Sequence, residues 1–405
     1  MMRLMLNLCL FATAGAIRLS DETVGGPLGV LAEKSSRAVV PEMYHTHDAI
    51  IAELNEMASS CPHMKMSQLK RGNMTINIAH FKKDDGRKKM KVLVYFGEHA
   101  RELVSPESAL NLAGHLCYRY ENTKNKAESL LNHAEIRMVP VVNPDGHNMV
   151  MKSGNLCHRT NGRGVDLNRN WDDHWESTGS LNMQTFGGEK PFSETETQLL
   201  KEDATEYKPN VFLTVHSGTL GLFTPWAYKS MKNKDPTSLI ENPNKYPSLI
   251  SMENRYSGAE TRVKEMLGLL QDINPKYCNC EAGAAGDVLP YLSPGTSLDF
   301  IFDKLQADYA FAFEIWDGRS KGGYKYASSD VSLLERGTRK RHSCFLDDGE
   351  EVEDQSDELC FAMFNPSTET KYKMAMDNWS NAYLDLFSGL IDIEKKHGAI
   401  FLQVE

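Results

Sequence analysis

The sequence predicts an α/β fold: one domain with a mostly parallel, mixed central β-sheet flanked by helices. Three observations carry this. Short apolar runs of strand length recur along the chain, helical periods lie between them, and the earlier runs close on turn residues. From about Met43 the pattern is helical, with Ile50, Ile51, Leu54 and Met57 on one face. Lys91–Phe96 reads as a buried strand closed by Gly97, and Ile136–Val142 as another closed by Asn143-Pro144-Asp145-Gly146. Val211–Val215 and Ala310–Ile315 are two more. Helices are expected at Ser105–Tyr120 and Glu194–Glu206, between the strands. In such sheets ligands gather beyond the carboxyl ends of the strands, where His99 and His216 both fall.

With 405 residues, 41% hydrophobic and 25% charged, the composition is that of an ordinary globular chain. A net charge of −10 argues against a nucleic-acid partner, which would want a basic surface. Residues 1–16 read as a secretory signal: Arg3 precedes the apolar Leu4–Ala12, and Ala14-Gly15-Ala16 matches a small-residue cleavage site. Residues 17–42, with Gly25-Gly26-Pro27, read as a linker or short pro-segment. No later apolar run approaches the ~20 residues of a membrane span, so a soluble protein of the secretory or endolysosomal pathway, or one released from the cell, is expected. Beyond Cys9 in the signal the chain carries Cys61, Cys117, Cys157, Cys278, Cys280, Cys344 and Cys360, an odd set. Cys344 with Cys360 is the pair expected, because it closes a local loop. Asn73-Met74-Thr75 and Asn378-Trp379-Ser380 fit the N-glycosylation pattern. The stretch 317–359 is a charged insertion, with Arg339-Lys340-Arg341 followed by a dense run of acids.

The chemistry is spread over four fragments. Gly97-Glu98-His99-Ala100-Arg101-Glu102 sets His99 and Glu102 three apart, and such a spacing on a turn brings both side chains to one side. Thr214-Val215-His216-Ser217 ends a strand on a histidine. Two histidines, one carboxylate and a fourth position left open are the stoichiometry of a catalytic zinc. Gly164-Val165-Asp166-Leu167-Asn168-Arg169-Asn170 offers an amide and a guanidinium able to hold a carboxylate. In Ala310–Ile315, Ala310, Ala312 and Glu314 share one strand face while Phe311, Phe313 and Ile315 fill the other. A carboxylate among such neighbours loses hydration and its pKa rises, and a Glu poised near neutral pH suits a general base. His-Glu-x-x-His, Gly-x-Ser-x-Gly and phosphate-loop patterns are all absent from the sequence.

Taken with Asn143-Pro144-Asp145-Gly146, these motifs resemble, in kind and order, the zinc metallocarboxypeptidases of the A/B type. The likeness runs from about Met43 to Phe387, and the catalytic domain is expected over 43–395. The resemblance implies one Zn2+ per chain held by His99, Glu102 and His216, with Glu314 as general base. It implies that Asn168, Arg169 and Tyr291 grip the terminal carboxylate of a peptide or protein substrate. Tyr291 is placed by Pro290-Tyr291-Leu292-Ser293-Pro294-Gly295, which is similar to the family's mobile-tyrosine loop. It further implies that Arg159 polarises the scissile carbonyl, that Arg101 assists peptide binding, and that Leu298 floors the specificity pocket. With Leu298 and Ala227 apolar, hydrophobic C-terminal residues are the expected preference. The family's digestive members carry a folded activation domain that residues 17–42 are too short to form, so zymogen inhibition of that type is not expected. A monomer is expected. Two other readings of the same residues stay open: a zinc amidohydrolase acting on non-standard amides, and an inactive secreted binding protein.

Overall fold

In the computed structural model, residues 40–177, 184–230, 253–318 and 357–398 are described. The expected signal and most of the linker lie outside them, as does the charged insertion except for its two ends. From Ala38 onward the chain is one unit by its internal contacts. Among the described residues eight strands form one sheet: β1 (Met64–Arg71), β2 (Met74–Phe81), β3 (Met90–Phe96), β4 (Ala134–Val139), β5 (Val211–His216), β6 (Leu220–Thr224), β7 (Glu281–Ala284) and β8 (Tyr309–Ile315). Their order across the sheet is β1-β2-β4-β3-β5-β8-β6-β7. The four strands read from sequence, β3, β4, β5 and β8, are the parallel centre. Antiparallel pairings of β1 with β2, β2 with β4 and β6 with β8 make the sheet mixed, as expected.

The helices are α1 (His47–Ser60), α2 (Val104–Leu116), α3 (Glu121–His133), α4 (Pro144–Ser153), α5 (Thr195–Tyr207), α6 (Glu253–Tyr277), the short turns α7 (Ala285–Val288) and α8 (Ser297–Asp299), then α9 (Asp357–Phe364) and α10 (Glu369–Lys396). Adjacent residues of β3 show how the two faces are covered. Tyr95 donates its hydroxyl to Leu200 O of α5 at 3.2 Å, while the Phe96 ring meets Tyr383 of α10 at 6.1 Å. Side chains alternate across a strand, so helices must cap both faces of a sheet whose central strands are almost wholly buried.

Four expectations need adjustment. Helix α1 begins at His47 rather than near Met43, because Thr46 caps it by accepting from Ala49 N at 3.2 Å. Helix α2 stops at Leu116, where Cys117 is tied to Cys61 and Tyr118 takes a φ of +60°. Strand β4 stops at Val139, although Val142 N still reaches Phe96 O at 2.8 Å. Cys360 pairs with Cys157, not with Cys344, which lies outside the described residues. Asp357 at the start of α9 accepts from Leu156 N at 2.8 Å, and this docks α9 so that Cys360 and Cys157 stand 5.3 Å apart at Cα. Cys278–Cys280 is the third bridge.

The sheet's first hairpin was not read from the sequence, yet its signal is there. Arg71-Gly72-Asn73-Met74 is a two-residue turn with Gly72 at a φ of +57°, and Arg71 pairs directly with Met74. Asn73 is thus exposed on a turn. Asn378, by contrast, lies inside α10 with its amide donated to Tyr277 O at 2.8 Å and Trp379 and Ser380 buried, so that acceptor pattern is closed in the folded chain.

Candidate active site

The centre is built at the carboxyl ends of β3, β5 and β8. After Phe96 the chain turns at Gly97, whose φ of +65° and nearness to Pro106, 2.8 Å from where a Cβ would stand, leave no room for a side chain. That turn carries His99 and Glu102 to the same side, with His99 Nδ1 2.7 Å from Glu102 Oε1. His216 closes β5 with its Nδ1 3.1 Å from both His99 Nδ1 and Glu102 Oε2. Ser217 N also donates to Glu102 Oε2 at 3.1 Å. All three side chains are buried.

These donors fit a zinc ion. Two imidazoles and one carboxylate are its usual catalytic ligands, and their donor atoms stand 2.7–3.1 Å apart, inside the ~3.4 Å edge of a tetrahedron with ~2.05 Å bonds. The electrostatics point the same way. Burial would raise the Glu102 carboxyl, but His99 and His216 overcome it and hold the group far below the usual carboxylate range. Burial would lower His216, yet its contacts with Glu102 and Glu98 push it up to about 10. The site is therefore organised around positive charge, which protons and a dication compete to supply.

Glu314 borders this centre. Burial first, and then the Glu102 charge, push its carboxyl up to about 8. Its Oε2 is buried without a hydrogen-bond partner among the described residues. Arg159 lies alongside, its Nε 2.9 Å and Nη2 2.8 Å from Asp166 Oδ2, and Nη1 3.8 Å from Glu102 Oε1.

The same cavity is bounded by Asn168, Arg169, Tyr291 and Leu298, so the structure brings nearly all the expected site residues together. Asn168 and Arg169 lie in a short 3-10 turn. Arg169 donates to Asn168 O at 2.9 Å and to Ser293 Oγ at 3.0 Å, which fixes its fork in the cavity wall. Asn168 Oδ1 accepts from Ser297 N at 3.0 Å. The deeper wall is apolar: Phe223, Ala227, Ala285, Leu289, Leu298 and Ala312. Arg101 is different. It is buried, stacked 4.0 Å over Phe364 and donating to Cys157 O and Gln184 Oε1, and it is not among the residues lining the cavity.

Two residues of the site were quoted in motifs but given no role. Asp166 accepts from Arg159 on one oxygen and faces His99 Nε2 at 3.2 Å with the other. Glu98 faces His216 Nε2 at 3.1 Å. Neither contact has a sequence signal, because each partner arrives on another element.

The comparisons agree with this geometry. The family model described as zinc carboxypeptidase matches residues 50–339, and the chain belongs to that family. It is 28% identical over 291 residues to carboxypeptidase A2 of Rattus norvegicus, covering 68% of this chain and 63% of that protein's length. To carboxypeptidase B of Astacus astacus it is 24% identical over 312 residues, covering 73% and 92%. The structure resembles the crystal structure of carboxypeptidase A from Helicoverpa armigera with a TM-score of 0.59, at 18% identity, covering 85% of this chain and 73% of the other, a likeness of fold.

Proposed function

We propose that this protein is a zinc-dependent exopeptidase of the secretory pathway that hydrolyses the C-terminal peptide bond of peptides or proteins and prefers hydrophobic terminal residues. One observation carries the reading. A carboxyl with a buried, unpartnered oxygen, Glu314, stands beside a triad of zinc donors in a cavity that Arg169 also lines. Zinc would be held by His99, Glu102 and His216 and would supply Lewis-acid polarisation of the scissile carbonyl and of the attacking water.

The chain's own residues do the rest. Glu314 takes the proton of the attacking water and delivers it to the leaving amine, so the proton balance closes within the site. Arg159, oriented by Asp166, stabilises the oxyanion that develops on the carbonyl, worth roughly 2.7–4 kcal/mol by comparison with other oxyanion donors. Arg169, Asn168 and Tyr291 hold the terminal carboxylate, the guanidinium bidentately. This grip favours chain ends over internal bonds. The apolar wall around Leu298 and Ala227 takes the terminal side chain, gaining roughly 1.5–3 kcal/mol for Leu or Phe. The place of Arg101, stacked on Phe364 and absent from the cavity lining, suits a support for Phe364 better than direct contact with peptide. Three disulfides among the described residues favour an oxidising compartment.

Purified protein incubated with matched peptides bearing free or amidated C-termini, read by mass spectrometry, tests this. Stepwise loss of single residues from the free-acid peptides alone is expected. Equal cleavage of amidated peptides, or internal cuts, would contradict the proposal.

A further inference from the structure

Each histidine of the metal centre has two ring nitrogens with different neighbours. His99 turns Nδ1 toward Glu102, and its Nε2 lies 3.2 Å from Asp166 Oδ1. His216 turns Nδ1 toward His99 and Glu102, and its Nε2 lies 3.1 Å from Glu98 Oε2. The two imidazoles are thus treated alike: a donor nitrogen toward the metal position and a carboxylate behind it. We propose that Glu98 is a positioning residue that fixes the tautomer of His216 and joins the metal centre to the specificity segment. This rests on the zinc reading above.

The tautomer matters because two neighbours of His216 pull in opposite directions. Asn168 Nδ2 lies 3.3 Å from His216 Nε2 and can only donate. Acting alone, it favours a bare Nε2 with the proton on Nδ1, the form that cannot ligate through Nδ1. A carboxylate at Nε2 favours the opposite tautomer, in which Nε2–H donates outward and the Nδ1 lone pair is free. Thr214 Oγ1, 2.9 Å from the same nitrogen, hydrogen-bonds to Glu98 Oε2 as well, so both routes from Nε2–H end on this carboxylate.

Glu98 is only 1% exposed, and its Oε1 has no hydrogen-bond partner among the described residues. A buried, half-satisfied carboxylate is costly for the fold unless positive charge compensates it. With Glu98, Glu102, Asp166 and Glu314, four carboxylates meet the guanidiniums of Arg159 and Arg169, an excess of two negative charges that one dication balances. The remaining contact leads to the substrate side. Ser297 Oγ donates to Glu98 Oε2 at 3.1 Å, and Ser297 N donates to Asn168 Oδ1, one residue before Leu298.

The test compares wild type, Glu98→Gln and Ser297→Ala. Zinc affinity is measured by competition with a chromophoric chelator, the visible spectrum is recorded after cobalt substitution, and melting is followed with and without chelator. Glu98→Gln is expected to weaken zinc binding by roughly 10–100-fold and to shift the cobalt bands. Its chelated form should melt no lower than chelated wild type. Ser297→Ala should leave zinc affinity unchanged and raise KM on free-acid peptides. If wild type binds zinc and Glu98→Gln matches it in affinity and cobalt spectrum, the role of Glu98 is overturned while the zinc reading stands. A Glu98→Gln protein that merely melts lower, chelated or not, with zinc affinity intact also overturns it. Failure of wild type to bind zinc would overturn both. Should Glu98→Gln not fold, Thr214→Val, which removes one of the two routes to the carboxylate, must still weaken zinc binding.

Discussion

Glu314 is the direct neighbour of His216 in the parallel pairing of β5 and β8. The proposed general base and a proposed metal ligand are therefore set beside each other by strand register, not by a flexible loop. A slip of one residue would turn Glu314 to the opposite face, among Phe311 and Phe313. Such placement holds the Glu314 carboxylate rigidly, and it lets the two proposed roles be separated by mutation.

Glu314→Gln is expected to retain its zinc and to lose roughly 10²–10⁴ of kcat, since an amide cannot accept the proton. His99→Ala, Glu102→Ala and His216→Ala should instead lose bound metal, measured by elemental analysis. Near-normal turnover in the Gln variant would remove Glu314 from the mechanism.

Arg169→Lys keeps the charge but not the fork that Ser293 and Asn168 O hold in place. Losing one charge-assisted hydrogen bond, about 1.5–3 kcal/mol, should cut kcat/KM on free-acid peptides by roughly 10–150-fold. Amidated peptides, already poor, should hardly change. Parallel losses on both substrate types would count against carboxylate recognition by Arg169.

Leu298→Asp should move preference from Phe and Leu toward Lys, because the wild-type wall would leave a buried ammonium unpaired at a cost of several kcal/mol. Steady-state kcat/KM on peptides ending in Phe, Leu, Lys and Glu decides it. A wild-type preference for Lys would end the assignment of Leu298.

The specificity segment should also govern stability against pH. Burial, and then the charge of Asp173, push Asp303 up to about 6, although Trp226 Nε1 donates to it at 2.8 Å. An unfolded Asp titrates near 3.9, so between these values the folded chain binds the extra proton. The associated stability is present below about pH 4 and is lost as pH rises through 6, on the order of 3 kcal/mol. Asp303→Asn, which keeps an acceptor for Trp226, should melt higher than wild type at pH 7 to 8 in chelator. The two curves should converge below pH 4. A pH-independent difference would show that the charge of Asp303 is not the cause.

The Cys157–Cys360 bridge spans a sequence separation of 203, and loop-entropy reasoning assigns such a closure about 5 kcal/mol. Non-reducing peptide mapping should recover that linked pair, and Cys157→Ser with Cys360→Ser should lower Tm markedly. A recovered Cys344–Cys360 peptide would contradict the pairing.

The sequence by itself determined the parts whose signal is local. The four central strands are apolar runs with turn residues, and His99, Glu102, His216 and Glu314 sit at their carboxyl ends, so a parallel centre with its site on one edge was legible. Edge strands were harder: β1 is mostly exposed and β7 is short, leaving only the Gly72-Asn73 turn as a clear mark. The tertiary structure alone decided what reaches across the fold. Asp166 meets His99 at a separation of 67 residues, Glu98 meets Ser297 at 199, and α9 carries Cys360 to Cys157 and Phe364 to the cavity wall. Periodicity reports which face of its own element a residue occupies. Which residue of another element lies opposite depends on strand order, register and helix docking, and these are settled only when the whole core packs.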